Sequence, residues 1–463
     1  MRIAAISVAP IFPNYVIGGS QKILADVTAG LKNLGHDVQI WCTATESHNG
    51  DFDVDGVAVH PELQFRGSFP STHQVSPVAL ARSAETLRNA AEWADRVYLH
   101  ADAVYLRHAL EGAEIIRSIH DYVYEEALLS TLSLPADVTI VPSNYLKHCI
   151  EATVAFSGKK TIEQVVVISN GVHVSETTPV PTLPDRILPR GEKDLILLFP
   201  HRPIPTKGLD EAIRTAVEVQ KIEPTRNVRL LIPAYPTNAN FDDLAGSTDE
   251  LMELVSDLGG VDIVEFHSWL SPTEMSGYYA SGDVTLCIGS FVESFGLVPI
   301  ESVANGTPAV CASVGAFRQF ADIDGIIPVP YGQIEASTQA VLSAAGGSAD
   351  LIESGRSQII HTYSSESMVE GYESVISRTL SEARKIELAA DDQLLLAPWC
   401  DIQGQEIYDD YTATRLQYPH LVSALKVNLG LVWLDPLLLS ASLDAEVRHA
   451  KERGILIPKY VIG

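Results

Sequence analysis

At 463 residues the chain is too long for one ordinary core, and two or three domains are expected. A net charge of −27, from 32 basic and 59 acidic residues, excludes the basic footprint that a nucleic-acid partner needs and disfavours a broad anionic membrane surface. No run of ~18 apolar residues supports a transmembrane helix. The five scattered cysteines (Cys42, Cys149, Cys287, Cys311 and Cys400) read as buried free thiols of a reducing cytoplasm, not as a disulfide frame or zinc site.

In chain order, "RIAAISV" reads as a buried first strand and "SQKILADVTAGLKNLGH" as a helix ending at Gly35, a suitable residue just past a helix end. "DVQIWCT" is the next strand, followed by the helix "PVALARSAETLRNAAEW" and the strands "RVYLHA", "AEIIRSIHD", "DVTIVPS" and "QVVVISNGV". Four prolines between Thr177 and Gly191 mark a linker. The alternation then restarts at "DLILLFPH" and runs through "PAVCAS". Alternating strands and helices imply two doubly wound α/β domains with parallel sheets. A last helix is expected over "SSESMVEGYESVISRTLSEARKIEL", and the segment beyond about Ala389 reads as a short, mostly helical appendix with a terminal strand. The resulting division is 1–180, 190–365, a crossover helix over 366–388, and an accessory extension over 390–463.

In open α/β sheets, ligands bind beyond the carboxyl ends of the strands, so the loops after strands carry the candidate chemistry. Gly18 and Gly19 follow the first strand and open a helix, where backbone can approach a ligand and free N–H groups can meet an anion. Arg202 and Lys207 lie in the loop after the first strand of the second half; Arg grips phosphate through two bonds and Lys as a point charge. In "SFVESFGLVPIESVANGTPAV", Glu293 stands before a helix start and Glu301 stands two turns inside it. A carboxylate accepts two neighbouring hydroxyls well, so this pair suits a polyhydroxylated ligand. Against that stands the plainer reading of a capped amphipathic helix. Asp51, Asp53 and Asp55 in "DFDVD" imitate a metal-binding D-x-D, but their turn-rich setting reads as a solvated hairpin. Neither a serine-hydrolase elbow nor a P-loop spacing is present.

"ESFGLVPIE" resembles the E-x7-E signature of the retaining GT-B glycosyltransferases, family 4 in particular. "GG" after the first strand, "SIHD", "VISNGV" and "HRPIPTKG" occur in the expected order, so the resemblance covers roughly residues 1–385. It implies a GT-B fold, in which two Rossmann-like domains face a cleft and the final helix returns to the N-terminal domain. It also implies transfer of a hexose-type sugar, with retention, from a nucleotide diphosphate sugar to a hydroxyl acceptor, with no cofactor and no obligatory metal. The base (UDP, GDP or dTDP) stays open. By the same resemblance, Arg202 and Lys207 would bind the diphosphate and Glu301 the ribose. Glu293, with the backbone N–H groups of Phe295 and Gly296, would hold the donor sugar. His120 would lie beside that sugar, and Gly18 and Gly19 would approach the phosphates and the acceptor.

The chain departs from the family pattern at Gly289, Ser268, Gln319 and His173. The acidic balance favours a small-molecule acceptor, such as a natural-product aglycone, over a lipid, with a glycan as the other class. Two other readings are carried beside this one: a GT-B-shaped sugar-nucleotide epimerase or phosphorylase, and a non-catalytic partner subunit. For the extension, bracing of the two domains or homodimerisation is expected.

Overall fold

The computed structural model describes residues 1–463 except 14–17, 46–47, 66–74, 176, 235–247, 380–381, 390–392, 429–430 and 435–440. Acceptor specificity is expected in the N-terminal loops, such as 43–75 and 100–135, and part of the first lies outside the described residues.

The N-terminal half contains β1 (Arg2–Ser7), α1 (Gly19–Asn33), β2 (Asp37–Thr43), β3 (Phe52–Val54), β4 (Val57–Leu63), α2 (Pro77–Trp93), β5 (Arg96–His100), β6 (Ile115–Ser118), α3 (Glu125–Ser133), β7 (Val138–Val141), α4 (Asn144–Phe156), β8 (Thr161–Ile162) and β9 (Gln164–Val167). All but β8 join one sheet in the order β3-β4-β2-β1-β5-β6-β7-β9. Its strands run parallel except for the β3–β4 hairpin at one edge. Ile3, Ala4, Ala5 and Ile6 are all fully buried because helices cover both faces, which explains the unbroken apolar run of β1. α1 turns Ile23, Leu24, Val27 and Leu31 into the core at helical spacing. Ser143 caps α4 by accepting from the Leu146 N–H at 3.0 Å. Asp51, Asp53 and Asp55 fall in the edge hairpin as expected, where Asp53 accepts from the Gly56 N–H at 2.7 Å.

The second half contains β10 (Asp194–Leu198), α5 (Leu209–Ile222), β11 (Asn227–Pro233), α6 (Thr248–Asp257), β12 (Val264–His267), α7 (Pro272–Ser281), β13 (Val284–Cys287), α8 (Leu297–Ala304), β14 (Ala309–Ala312), β15 (Ile326–Val329), α9 (Ile334–Ala345), α10 (Ala349–Thr362) and α11 (Ser365–Ile376). Its parallel sheet has the order β12-β11-β10-β13-β14-β15. α11 returns to the first half. Met368, Tyr372, Val375 and Ile376 enter the N-terminal core, and Gly30 lets α1 approach so closely that an added Cβ would lie 2.4 Å from Val369.

Two expectations are corrected. The last helix stops at Ile376, and Arg384–Leu388 is a strand, β16, paired antiparallel with β8. Among its described residues the extension holds more strand than helix, where mostly helix was expected. It holds β17 (Leu394–Leu396), β18 (Cys400–Gln403), β19 (Glu406–Asp409), β20 (Thr414–Gln417), α12 (Pro419–Ala424), β21 (Leu425–Asn428), β22 (Leu431–Leu434), α13 (Ala441–Glu452), β23 (Leu456–Pro458) and β24 (Tyr460–Ile462). Apolar runs of three or four residues do not separate strand from helix. Gly404, at φ +68°, closes the β18–β19 hairpin. Among the described residues no helix is long and apolar enough to cross a membrane.

Candidate active site

Both sheets reverse strand order at their first strand, between β1 and β5 and between β10 and β13. Crevices open at such points beyond the strand ends. The loops after β1, β6, β10 and β13 carry Gly18 and Gly19, His120, Arg202 and Lys207, and Glu293 respectively.

The loop after β10 is packed backbone to backbone against the loop after β13. Gly208 has φ +90°, and a Cβ on Gly289 would lie 2.3 Å from Thr206 O and from the Lys207 carbonyl carbon. Only glycine permits that approach, which explains the departure from the family pattern at Gly289. The Phe291 N–H donates to Thr206 O at 2.8 Å, and Lys207 Nζ lies 3.8 Å from the centre of the Phe291 ring. The same ammonium donates to Glu293 Oε1 at 2.5 Å, so cation and carboxylate face one small cavity lined also by Cys287, Gly289 and Phe317.

Gly296, at φ +88°, turns the chain into α8 and offers no side-chain cap. A Cβ there would lie 2.1 Å from Phe317 Cε1, and the first N–H groups of a helix have no partner within it. Gly18 likewise leaves α1 without a side-chain cap. The two helix starts meet across the cleft, where a Cβ on Gly19 would lie 3.1 Å from Leu297 Cδ1. The Phe295 side chain is buried against Phe320 and Tyr363, so it anchors the turn and has only backbone to offer a ligand.

Glu301 is engaged twice. Lys22, one turn into α1, donates to Oε1 at 2.7 Å, and the Tyr279 hydroxyl donates to Oε2 at 3.1 Å. Burial works against the charge of Lys22, but Glu301 outweighs it and the ammonium pKa is raised. Neither partner was anticipated from sequence. Lys22 was legible only as a cation near the start of α1, and nothing in "SGYYASG" marked Tyr279.

Arg202 interacts with the Tyr124 hydroxyl and, with Lys207, lies near Asp121. Burial, then the nearby Glu293, push the Asp121 carboxyl up to about 6, while Lys207 and Arg202 oppose them. His120 is not hydrogen-bonded to any of these groups. Its Nε2 meets Ser118 Oγ at 3.0 Å and its Nδ1 has no partner. Burial lowers its pKa to about 4, so the ring is neutral. At His173, another departure from the pattern, Nε2 reaches Asp26 on α1 at 3.2 Å.

Residues 17–176 match the model of the family described as Glycosyltransferase Family 4, and residues 184–322 match that of Glycosyl transferases group 1. The two matches adjoin at the proline-rich linker and between them contain every site residue named above. The chain belongs to the family 4-like glycosyltransferases of GT-B fold. Among curated members of the family, D-inositol 3-phosphate glycosyltransferase from Corynebacterium aurimucosum is 32% identical over 160 residues, 33% of this chain and 36% of that protein. The match thus spans about a third of that relative's length. Two solved structures share the fold at low identity. Sucrose-phosphate synthase from Thermosynechococcus elongatus has a TM-score of 0.61 at 18% identity, covering 81% of this chain and 98% of that one. An Anabaena protein solved with UDP-glucose has a TM-score of 0.58 at 15% identity, covering 81% and 99%.

Proposed function

We propose that this glycosyltransferase-family protein transfers a hexose-type sugar from a nucleotide diphosphate sugar to a hydroxyl of a small-molecule acceptor, with retention at the anomeric carbon. The observation that carries the reading is the convergence of an Arg202/Lys207 loop, two carboxylates and two uncapped helix starts at the ends of facing sheets. A diphosphate takes up Arg202, Lys207 and the N–H groups at the start of α8, and Lys207 is released from Glu293 as it does so. The ribose hydroxyls take Glu301 from Lys22. Glu293 and the backbone N–H groups of Phe295 and Gly296 hold the sugar hydroxyls, with His120 alongside.

The bond from the anomeric carbon to the phosphate oxygen breaks, and a bond to the acceptor oxygen forms on the same face. The acceptor's proton passes to the departing phosphate, so no protein base is required. Preorganised cations and helix N–H groups stabilise the charge that develops on the diphosphate. The paired match to an inositol 3-phosphate glycosyltransferase makes polyol and sugar phosphates the first acceptors to try.

The test incubates the full chain with UDP-, GDP- and dTDP-hexoses and a panel of polyol phosphates and aglycones, following the anomeric proton by NMR. An α-linked product from an α-linked donor is expected. Inversion, or epimerised donor without transfer, would overturn the reading.

A further inference from the structure

The buried polar cluster behind His120 is not used by the chemistry above, and its donors and acceptors run in one direction. His100, at the end of β5, places Nε2 2.8 Å from Ser20 O and 2.9 Å from Ser20 Oγ. A carbonyl only accepts, so that nitrogen carries the proton. Burial and the neighbouring His120 hold the His100 pKa well below the usual value, so the ring is neutral and Nδ1 is bare. The Tyr98 hydroxyl, 2.8 Å away, therefore donates to it. Tyr98 Oη can then accept from Ser118 Oγ, at 3.0 Å, and the Tyr372 hydroxyl from α11 joins the same cluster. The next link, Ser118 Oγ to His120 Nε2, is 3.0 Å.

His120 Nδ1 is buried without a partner, and the residue is 7% exposed. Buried N–H groups are almost never left orphaned, whereas an acceptor lone pair is tolerated more often. The proton therefore sits on Nε2 and donates to Ser118, and the chain closes in one sense: His120, Ser118, Tyr98, His100, Ser20. The two imidazole rings lie 4.4 Å apart, centre to centre, which holds the plane of His120 as well.

We infer that Tyr98, His100 and Ser118 are positioning residues that fix His120 as the Nε2–H tautomer, so that Nδ1 offers a bare lone pair that selects a sugar bearing a hydroxyl there and rejects one bearing a carboxylate. The selectivity step rests on the donor-sugar reading of the cleft; the tautomer does not. The chain starts at Ser20, in the turn that opens α1, so the same carbonyl that orients His100 ties His120 to the glycine loop.

The experiment is ¹⁵N NMR of the full chain labelled at histidine, with His120 assigned by its loss in His120→Gln. A protonated Nε2 and a bare Nδ1 are expected at neutral pH. In Ser118→Ala the His120 Nε2–H loses its acceptor, so the Nε2–H tautomer is no longer favoured and Nδ1 carries the proton in a share of the molecules. Affinity for the intact nucleotide sugar should then fall a few-fold, while affinity for the nucleoside diphosphate alone stays level, a split that general loosening would not give. A protonated Nδ1 in the wild type overturns the proposal. So does a Ser118→Ala protein with unchanged tautomer and affinities. Should that variant not fold, the wild-type spectrum still decides. Should no nucleotide sugar bind the wild type, the donor-site reading fails while the spectrum still decides the tautomer.

Discussion

Asp121 shows how one carboxyl couples the site to pH. It is partly buried and lies near Glu293, Arg202 and Lys207, and its pKa is raised to about 6. Above that pH it is an anion that, on the proposed reading, competes with a donor's phosphates for Arg202 and Lys207. Below it the competition ends. Binding of an intact nucleotide sugar, whose phosphates do not titrate in this range, should therefore strengthen a few-fold as pH falls through about 6, and Asp121→Asn should flatten the profile. Calorimetric titration across that range checks it, and a profile unchanged in the variant would remove Asp121 from the site. The sign is opposite for Asp194, whose pKa is lowered to about 2 because Asn227, the Gly191 N–H and Arg229 outweigh its burial. Its contribution to stability is present above the unfolded value near 4 and is lost as pH falls through about 2. Arg229 stands between Asp194 at 2.7 Å and Glu265 at 2.6 Å and is 7% exposed. Arg229→Ala strands two carboxylates and should cost about 3–5 kcal/mol in urea unfolding.

The elements that carry the site are turns built on glycine, and they differ in how far the sequence announced them. The E-x7-E spacing, the cationic loop and the glycine pair were legible because each follows an apolar run that can only be a buried strand. Their mutual approach was not legible, since it depends on Gly289 lying on the backbone of Thr206 and Lys207. Gly289→Ala would push that loop away by the width of a methyl group. It should cost about 1–3 kcal/mol by overpacking and weaken donor binding, whereas a surface control such as Gly50→Ala should do neither. Lys22 and Tyr279 escaped the reading because their relation to Glu301 spans 279 and 22 residues of chain, a distance that no local pattern encodes. The β-rich extension was misread for a different reason: its strands are too short to show a period, and pairing between residues as distant as Leu394 and Pro458 stabilises them.

At the scale of the whole molecule, the extension is tied to both halves. Asp410 accepts from the Tyr145 hydroxyl of α4 at 2.8 Å, from the Gly315 N–H of the second half at 3.3 Å, and from Arg318. The Tyr411 hydroxyl donates to Tyr122 O at 3.0 Å, and Arg415 donates to Tyr331 O. These contacts favour bracing of the domains, one of the two roles expected for the extension. They also reach the site, because the Ala316 N–H, one residue beyond Gly315, donates to Glu293 O at 2.8 Å. Asp410→Ala should lower stability by about 2 kcal/mol, since it takes the nearer carboxylate from Arg318 and leaves it Asp401 at 3.8 Å, and should weaken donor binding without touching the donor. Lys22 and Glu301 form a second tie between the halves, across the cleft itself. The central claim is that this cleft is a nucleotide-sugar site built on Glu301 and Arg202, and thermal melting with UDP-, GDP- and dTDP-sugars tests it most directly. A ligand bound only by the folded state raises the melting temperature by mass action. One nucleotide class should stabilise the wild type, and Glu301→Ala and Arg202→Ala should lose that shift, each weakening affinity by about 10- to 100-fold, as expected for a charged hydrogen bond. Variants that respond as the wild type does, or a wild type that none of the donors stabilises, would contradict it.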